Sequence, residues 1–469
     1  MDVKNPAGVI GWLVLSAVLP GAAHLRAGWK RTGLVLLLAY LAMVLMVTGL
    51  VVELGPAALA GWALGRLPAI TVTAGVLAAA WCALIVHSFL VLRPGLASRR
   101  WQAGTGVVAA LLALLVALPF AVTARYAAIS QRTLDQVFTV PGNGGDPLAG
   151  KDRVNILLLG GDWDPGRVGT RTDSVNVASI DVRTGNTVLF GLPRNLEDVR
   201  FPPGSPMRAR FPYGFRLPES PGGDRDDLLY SVWGYANEHP EIFGGRRNMG
   251  PATLKETVGY TLGLKIDWYA LVNIWGFARI IDALGGLVLN VERDVVYGRY
   301  NEGRVKAGLR RLDGAQALWY ARSRTFADDF TRMRRQRCVF DALLRQADPG
   351  KVLTGFDQIA RATQGMIYTD LPRGTLPYLV PLMAKIKNAS VRSVQFVPPL
   401  INTGYPDWNL IRETTARALK ESAQAKPETK TGTRDKPGVK AMAVLHANPV
   451  APSTAPSPTP APRLSADCR

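Results

Sequence analysis

Three long stretches without a charged residue commit the first quarter of this chain to a membrane. They run from about Gly33 to Val52, Ala69 to Leu92 and Gly104 to Ala124, and about 20 apolar residues in helical form are what a hydrocarbon core of ~30 Å requires. A fourth apolar run, about Gly8 to Ala23, is shorter and broken by Pro20-Gly21. Spanning, re-entrant and interfacial placements are all open to it. The loop 25–32 carries Arg26, Lys30 and Arg31, and the loop after Leu92 carries Arg93, Arg99 and Arg100, whereas 53–68 has only Glu53 and Arg66. Cytoplasmic loops collect Lys and Arg, so the two basic loops belong inside and the last span exits outside. Everything from about Arg125 onward is then expected to be extracytoplasmic, and a cleavable signal peptide is not expected.

The chain of 469 residues accordingly reads as a membrane region over 1–125 with three or four transmembrane helices, a linker over 126–151, an extracytoplasmic domain over 152–420, and a disordered Pro/Ala/Lys-rich tail over 421–469. A formal net charge of +19 favours polyanionic partners: nucleic acid, anionic lipid, pyrophosphate or wall polymer. The outward placement ranks nucleic acid last. Cys82, Cys338 and Cys468 show neither zinc nor disulfide spacing, and the four histidines are scattered. Any metal is therefore expected to be a hard ion held by carboxylates. Cys338 reads as a small hydrophobe facing a core.

In the soluble part, VNILLLGGD from Val154 is a buried strand that delivers Asp162 to its C-terminal end. Ser174–Asp181 and Asn186–Leu192 read as two further strands, with Arg171-Thr172-Asp173 before the first and Pro193-Arg194-Asn195 after the second. Antiparallel neighbours would bring Asp162, Asp173 and Arg194 to one edge. Helical periodicity over Pro251–Leu262 and Trp275–Leu284, closed by Gly285-Gly286, alternates with strands at Trp268–Asn273 and Leu287–Val291. The fold class that follows is an α/β (α+β) sandwich, a central mixed sheet flanked by helices, preceded by the helical membrane region.

A helix begins at Leu312-Asp313-Gly314, and the most charged segment of the chain follows it. There Arg332, Arg335 and Gln336 share a helical face and Arg322 and Arg324 enter from the preceding turn. Arginine runs are mostly solvated surface and strand-end aspartates mostly cap turns. Two carboxylates together with several arginines, however, are what a Mg²⁺-assisted pyrophosphate site needs. No nucleophile motif or P-loop is present. Trp233, Tyr235, Trp268, Tyr269, Trp275 and Phe277 read as core, or as lining for an apolar channel.

The segments ILLLGGD, RTDSV, LPRN, DWYALVNIWGFARIIDALGGLVLNV, LDGAQALWYARSR and DDFTRMRRQR, in that order, resemble the LytR-CpsA-Psr family over about Asp152–Pro349, fading through Lys420. The resemblance implies a phosphotransferase that moves a glycopolymer from a polyprenyl-pyrophosphate carrier onto peptidoglycan through a phosphodiester, with pyrophosphatase as a side activity. Carried over by motif, Asp162 and Asp173 hold Mg²⁺ (or Mn²⁺). Arg194, Arg322, Arg324, Arg332 and Gln336 bind the pyrophosphate, with Arg335 in support. Asp162, Asp173, Arg194, Arg322 and Arg324 form the implied catalytic set, and the general base stays unassigned. The chain departs from the family at Asn195, where an Asp is usual, and at Leu228-Leu229-Tyr230, where a lysine is missing. The competing reading is a non-catalytic, membrane-anchored binder or regulator of anionic wall polymers.

Overall fold

The computed structural model describes residues 6–92, 98–138, 145–162, 171–218, 225–346 and 365–425. They form two compact units: helices up to residue 138 joined by residues 371–381, and a second unit built on residues 148–346, 366–370 and 382–425. Of the tail expected as disordered over 421–469, residues 421–424 instead close a helix that packs on the core, and residues from 426 onward lie outside the described residues.

The first unit contains α1 (Pro6–Val18), α2 (Ala22–Arg26), α3 (Lys30–Leu64), α4 (Leu67–Leu92) and α5 (Arg99–Val137). Segments Lys30–Pro56, Leu67–Leu92 and Arg99–Arg132 are long and apolar enough to cross a membrane, in the places the charge-free runs foretell. The fourth run is a broken helix. At ~1.5 Å per residue, the 13 residues of α1 fall short of a bilayer core, and the chain turns at Pro20-Gly21 into α2. Gly21 has φ 99°, and a Cβ there would lie 2.3 Å from the Gly33 carbonyl oxygen, so only glycine allows both this turn and the close approach of α3. Val9 and Leu13 of α1 pack on Ile85 of α4 and Ala109 of α5. Within this apolar packing Ser16 bonds Ser88 at 3.0 Å and His24 Nε2 bonds His87 Nδ1 at 2.7 Å, while His24 Nδ1 is buried without a hydrogen-bond partner. Helix α5 continues through Val137, into the stretch expected as linker.

The second unit contains β1 (Arg153–Asp162), β2 (Arg171–Asp181), β3 (Thr187–Leu192), α6 (Pro206–Arg210), α7 (Val232–Glu238), α8 (Gly250–Leu262), β4 (Trp268–Asn273), α9 (Ile274–Ala283), β5 (Leu287–Val291), β6 (Val295–Tyr297), β7 (Gly303–Val305), β8 (Gly308–Leu312), α10 (Gly314–Arg322), α11 (Asp329–Gln346), β9 (Ile367–Thr369), the second half of α12 (Leu376–Ile386), whose residues up to Pro381 count with the first unit, β10 (Val391–Gln395) and α13 (Trp408–Gln424). Six strands make one mixed sheet in the order β10-β3-β2-β1-β4-β9. β1 is antiparallel to β2 and parallel to β4, while β3 is antiparallel to β2 and parallel to β10.

Side chains alternate across a strand, and β1 and β4 use both faces. Leu157, Leu159 and Leu271 enter the main core with Val177 and Phe190, covered by Leu254 and Val258 of α8 and Ile411 of α13. Each such fully buried side chain contributes roughly 1.5–3 kcal/mol. Leu158, Gly160, Ala270 and Val272 line the other face, under Phe277 and Ile280 of α9. β5, read from sequence as part of the alternation around the central sheet, pairs only with β8 in a separate two-stranded sheet. Its Leu287, Leu289 and Val291 join a second core with Ile281, Ala317 and Val339 of α9, α10 and α11. Cys338 is buried there as expected.

Candidate active site

The register of β1 and β2 creates the site. Gly160 faces Ser174 and Gly161 faces Thr172, so Asp173 is an extra residue with no partner on β1. A bulge of this kind bends the strand and re-aims one side chain. Arg194 arrives from the next connection, two residues beyond β3, and its Nη1 donates to Asp173 Oδ1 at 2.5 Å. The convergence of these two residues, expected from strand order alone, is realised. β1 ends at Asp162, paired in register with Arg171; the side chain of Asp162 lies outside the described part of the structure.

The segment around Tyr230 locks Arg194 in place. Tyr230 N donates to Arg194 O at 3.0 Å, Thr172 Oγ1 donates to Tyr230 O at 3.3 Å, and the Tyr230 ring lies 5.3 Å from the Arg194 guanidinium. Tyr230 is thus a site residue that sequence reasoning passed over, in the segment where the family's lysine is missing.

The remaining cations come from α10, α11 and the turn between them. α10 is started by a capping box, Asp313 Oδ1 accepting from Gln316 N at 2.7 Å. It lies so close to α9 that a Cβ on Gly314 would sit 2.0 Å from the Ala278 carbonyl oxygen. Arg322, its last residue, stands 6.0 Å from the Trp319 ring, which stacks on Tyr297 at 5.1 Å with 4° between planes. The stack pins the hairpin of β6 and β7 to α10.

Of the two aspartates at the start of α11, Asp328 accepts from Thr331 N at 2.8 Å and caps the helix. Asp329 turns toward the arginines of the cleft wall. It lies 3.0 Å from Arg332, 3.2 Å from Arg324 and 3.9 Å from Arg194, making it the central counter-ion and a site residue absent from the expected set. Its i,i+3 relation to Arg332 was the available signal. Arg332 is 2% exposed, and burial, opposed by Asp329, lowers its pKa to about 10, which leaves it charged at neutral pH. Its Nε is buried without a hydrogen-bond partner.

Arg335, expected to support phosphate binding, has a different task. Its Nη1 donates to Tyr320 O at 3.1 Å and its Nη2 to Ser323 O at 2.7 Å, so it ties the turn after α10 to α11 and does not line the cleft. Burial pushes its pKa down. Arg335→Met removes the donors to both carbonyls, and each unpaired buried group costs about 1–3 kcal/mol. The expected result is a clear fall in the thermal midpoint. Gln336 lines the apolar cavity together with Arg322 and Arg332, its Nε2 donating to Ala321 O at 3.3 Å.

Two cavities of opposite character meet here. An open cleft of about 440 Å³ holds Arg194, Arg299, Arg322, Arg324 and Arg332 on its walls. An apolar cavity of about 270 Å³ lies beside it, lined by Leu158, Val272, Phe277, Leu318, Val339 and Leu343. Asp173, Arg322 and Arg332 belong to both. At the junction, four guanidinium groups (Arg194, Arg322, Arg324, Arg332) face the carboxylates of Asp173 and Asp329, a cationic surplus suited to a phosphate chain. Among the described residues no group of three or more His, Cys, Asp or Glu side chains forms a metal cage. Asp173, with Asp162 ending the neighbouring strand, supplies only hard carboxylate oxygens. That donor set fits Mg²⁺, which shares its shell with phosphate oxygens and water.

Fold and site together define a membrane-anchored α/β domain whose binding site joins an apolar slot to an arginine-lined cleft. The chain belongs to the LytR_cpsA_psr family, whose profile matches residues 121–408. The polyisoprenyl-teichoic acid–peptidoglycan teichoic acid transferase TagU of Oceanobacillus iheyensis is 30% identical over 240 residues, 51% of this chain and 65% of that protein. The probable cell wall biosynthesis protein LcpB of Corynebacterium glutamicum is 30% identical over 267 residues, 54% of each. The chain thus spans less than two thirds of the length of either relative. The crystal structure of B. subtilis TagV aligns with 59% of this chain and 99% of that one, at 21% identity and a TM-score of 0.41.

Proposed function

We propose that this protein is a Mg²⁺-dependent phosphotransferase that moves a glycopolymer from a polyprenyl-pyrophosphate carrier onto peptidoglycan. The observation that carries this reading is the meeting of the apolar cavity and the basic cleft at Arg322 and Arg332. An amphiphile with a diphosphate between a hydrocarbon tail and a sugar matches that order of surfaces. The tail occupies the cavity under Phe277, the diphosphate lies against Arg194, Arg322, Arg324 and Arg332, and the glycan leaves through the cleft. Basic loops beside α2–α3 and α4–α5 support an outward-facing domain, on the side where such an acceptor is found.

An acceptor hydroxyl oxygen attacks the sugar-bearing phosphorus, the bond to the bridging oxygen breaks, and polyprenyl phosphate departs with that oxygen. The hydroxyl proton is released and the polymer ends as a phosphodiester on the acceptor. The guanidinium groups neutralise charge on the phosphoryl oxygens and on the departing phosphate, which is the main protein contribution to phosphoryl transfer. Mg²⁺, held by Asp162 and Asp173, would add its charge to the same oxygens. Water in place of the acceptor would give hydrolysis, the pyrophosphatase side activity.

The test uses the purified full chain with a polyprenyl-diphosphate-linked glycan and peptidoglycan fragments, scoring polyprenyl phosphate release and glycan attachment. Val272→Phe, which fills the apolar cavity, should raise KM for the long-tailed donor more than tenfold, since each CH₂ displaced forfeits about 0.8 kcal/mol. A short-tailed donor should be far less affected, which separates tail exclusion from misfolding. Donor binding with no release of polyprenyl phosphate would favour a non-catalytic binder, and indifference of KM to Val272→Phe would remove the tail from this cavity.

A further inference from the structure

A larger cleft, of about 790 Å³, lies at the other end of the sheet. It opens where β4 begins, at Asp267-Trp268, whereas the arginine site lies near Asn273, where that strand ends. Six residues at ~3.3 Å each separate the two by about 20 Å. Its walls carry four cations, Lys151, Lys255, Lys265 and Arg412, against Glu256 and Asp267. Two of them serve the fold: Lys151 pairs with Asp267 at 2.7 Å and Lys255 with Asp370 at 2.5 Å. Lys265 and Arg412 have no carboxylate partner among the described residues. Arg412 uses Nε to cap the end of α8 through Tyr260 O at 3.2 Å, which leaves the rest of its guanidinium uncommitted.

Two rings complete the walls. Arg412 lies 4.6 Å from the centre of the Tyr260 ring and Lys151 lies 5.0 Å from that of Trp268. The exposed Lys265 and the uncommitted part of Arg412, set in a concave wall beside the half-buried Tyr260 and Leu264, suit the phosphates and apolar sugar edges that alternate along a glycan. A bilayer surface is instead gripped by protruding side chains, and Trp268 is only 8% exposed. The volume is in the range of ligand clefts, about 300–1,000 Å³.

We propose that this cleft is a second, non-catalytic binding site for a phosphate-bearing glycan chain, holding the polymer about 20 Å from the arginine centre. Only the identity of that chain as the transferred polymer rests on the function proposed above; the site itself does not. A grip at this distance would raise the local concentration of long chains over short ones at the catalytic end.

The full chain in nanodiscs of zwitterionic lipid is titrated with a phosphodiester-linked oligosaccharide at low salt. Lys265→Glu/Arg412→Glu should weaken binding by about tenfold or more, an effect that shrinks as salt rises. Lys265→Glu alone, at an exposed position that bears no fold contact through its ammonium group, should give a smaller loss in the same direction and leave transfer of a short donor unchanged. Arg332→Ala should leave this binding intact, so a failed transfer assay and a failed second site are told apart. Unchanged affinity in the double variant would overturn the proposal. So would equal binding of the uncharged oligosaccharide, or a loss confined to nanodiscs of anionic lipid.

Discussion

Arg332→Ala is expected to lower kcat/KM for polyprenyl phosphate release by about 10²–10³-fold, the usual effect of deleting one preorganised donor at a developing charge. Arg332 is the only site arginine that is nearly inaccessible, and burial has already lowered its pKa to about 10. The desolvation cost is therefore met by the fold before substrate arrives. Its side chain lines both the cleft and the apolar cavity, where a diphosphate between tail and sugar would meet it. Arg332→Lys should recover little, because an ammonium group cannot present the planar fork. Loss of Arg332 leaves Asp329 paired with Arg324 at 3.2 Å, so the thermal midpoint should fall much less than in Arg335→Met. A variant that kept more than a tenth of normal turnover would place the diphosphate elsewhere.

The contrast between Arg332 and Arg335 marks what the sequence could and could not carry. Helical spacing puts both on one side of α11, yet 60° around the helix is enough to send one guanidinium into the cleft and the other beneath the turn 323–328. Which goes where depends on the path of that turn, and single-sequence periodicity does not encode it. Asp329 was hidden for a related reason: in DDFTRMRR each acid reads as a helix start, and only the cap geometry gives that task to Asp328. The transmembrane helices were legible because the bilayer imposes a length and a polarity that few soluble segments meet. Asp173 and Arg194 were legible because two short connections leave antiparallel pairing as the simple topology. The pairing of β5 with β8 and the placement of Tyr230 over Arg194 are long-range choices, settled by packing that no local pattern records.

Asp173→Asn separates binding from chemistry. The bulge holds residue 173 whatever its side chain, and the Asn oxygen still accepts from Arg194, so the fold and the position of that arginine should survive. What disappears is one negative charge and, in the proposed mechanism, one of two metal ligands. Removing an anion from a cluster that already has surplus guanidinium groups cannot weaken attraction for a diphosphate, so KM for the donor should stay level or fall. Turnover should nevertheless drop by about 10²-fold or more, as for other lost charge-stabilising groups at a phosphoryl centre. The Mg²⁺ concentration for half-maximal rate should also rise, because a hard cation loses affinity with each carboxylate removed. Kinetics across a Mg²⁺ series decide the matter. A rise in KM at constant kcat would make Asp173 a docking residue held by Arg194, whereas a fall in kcat with KM preserved ties its charge to the transition state.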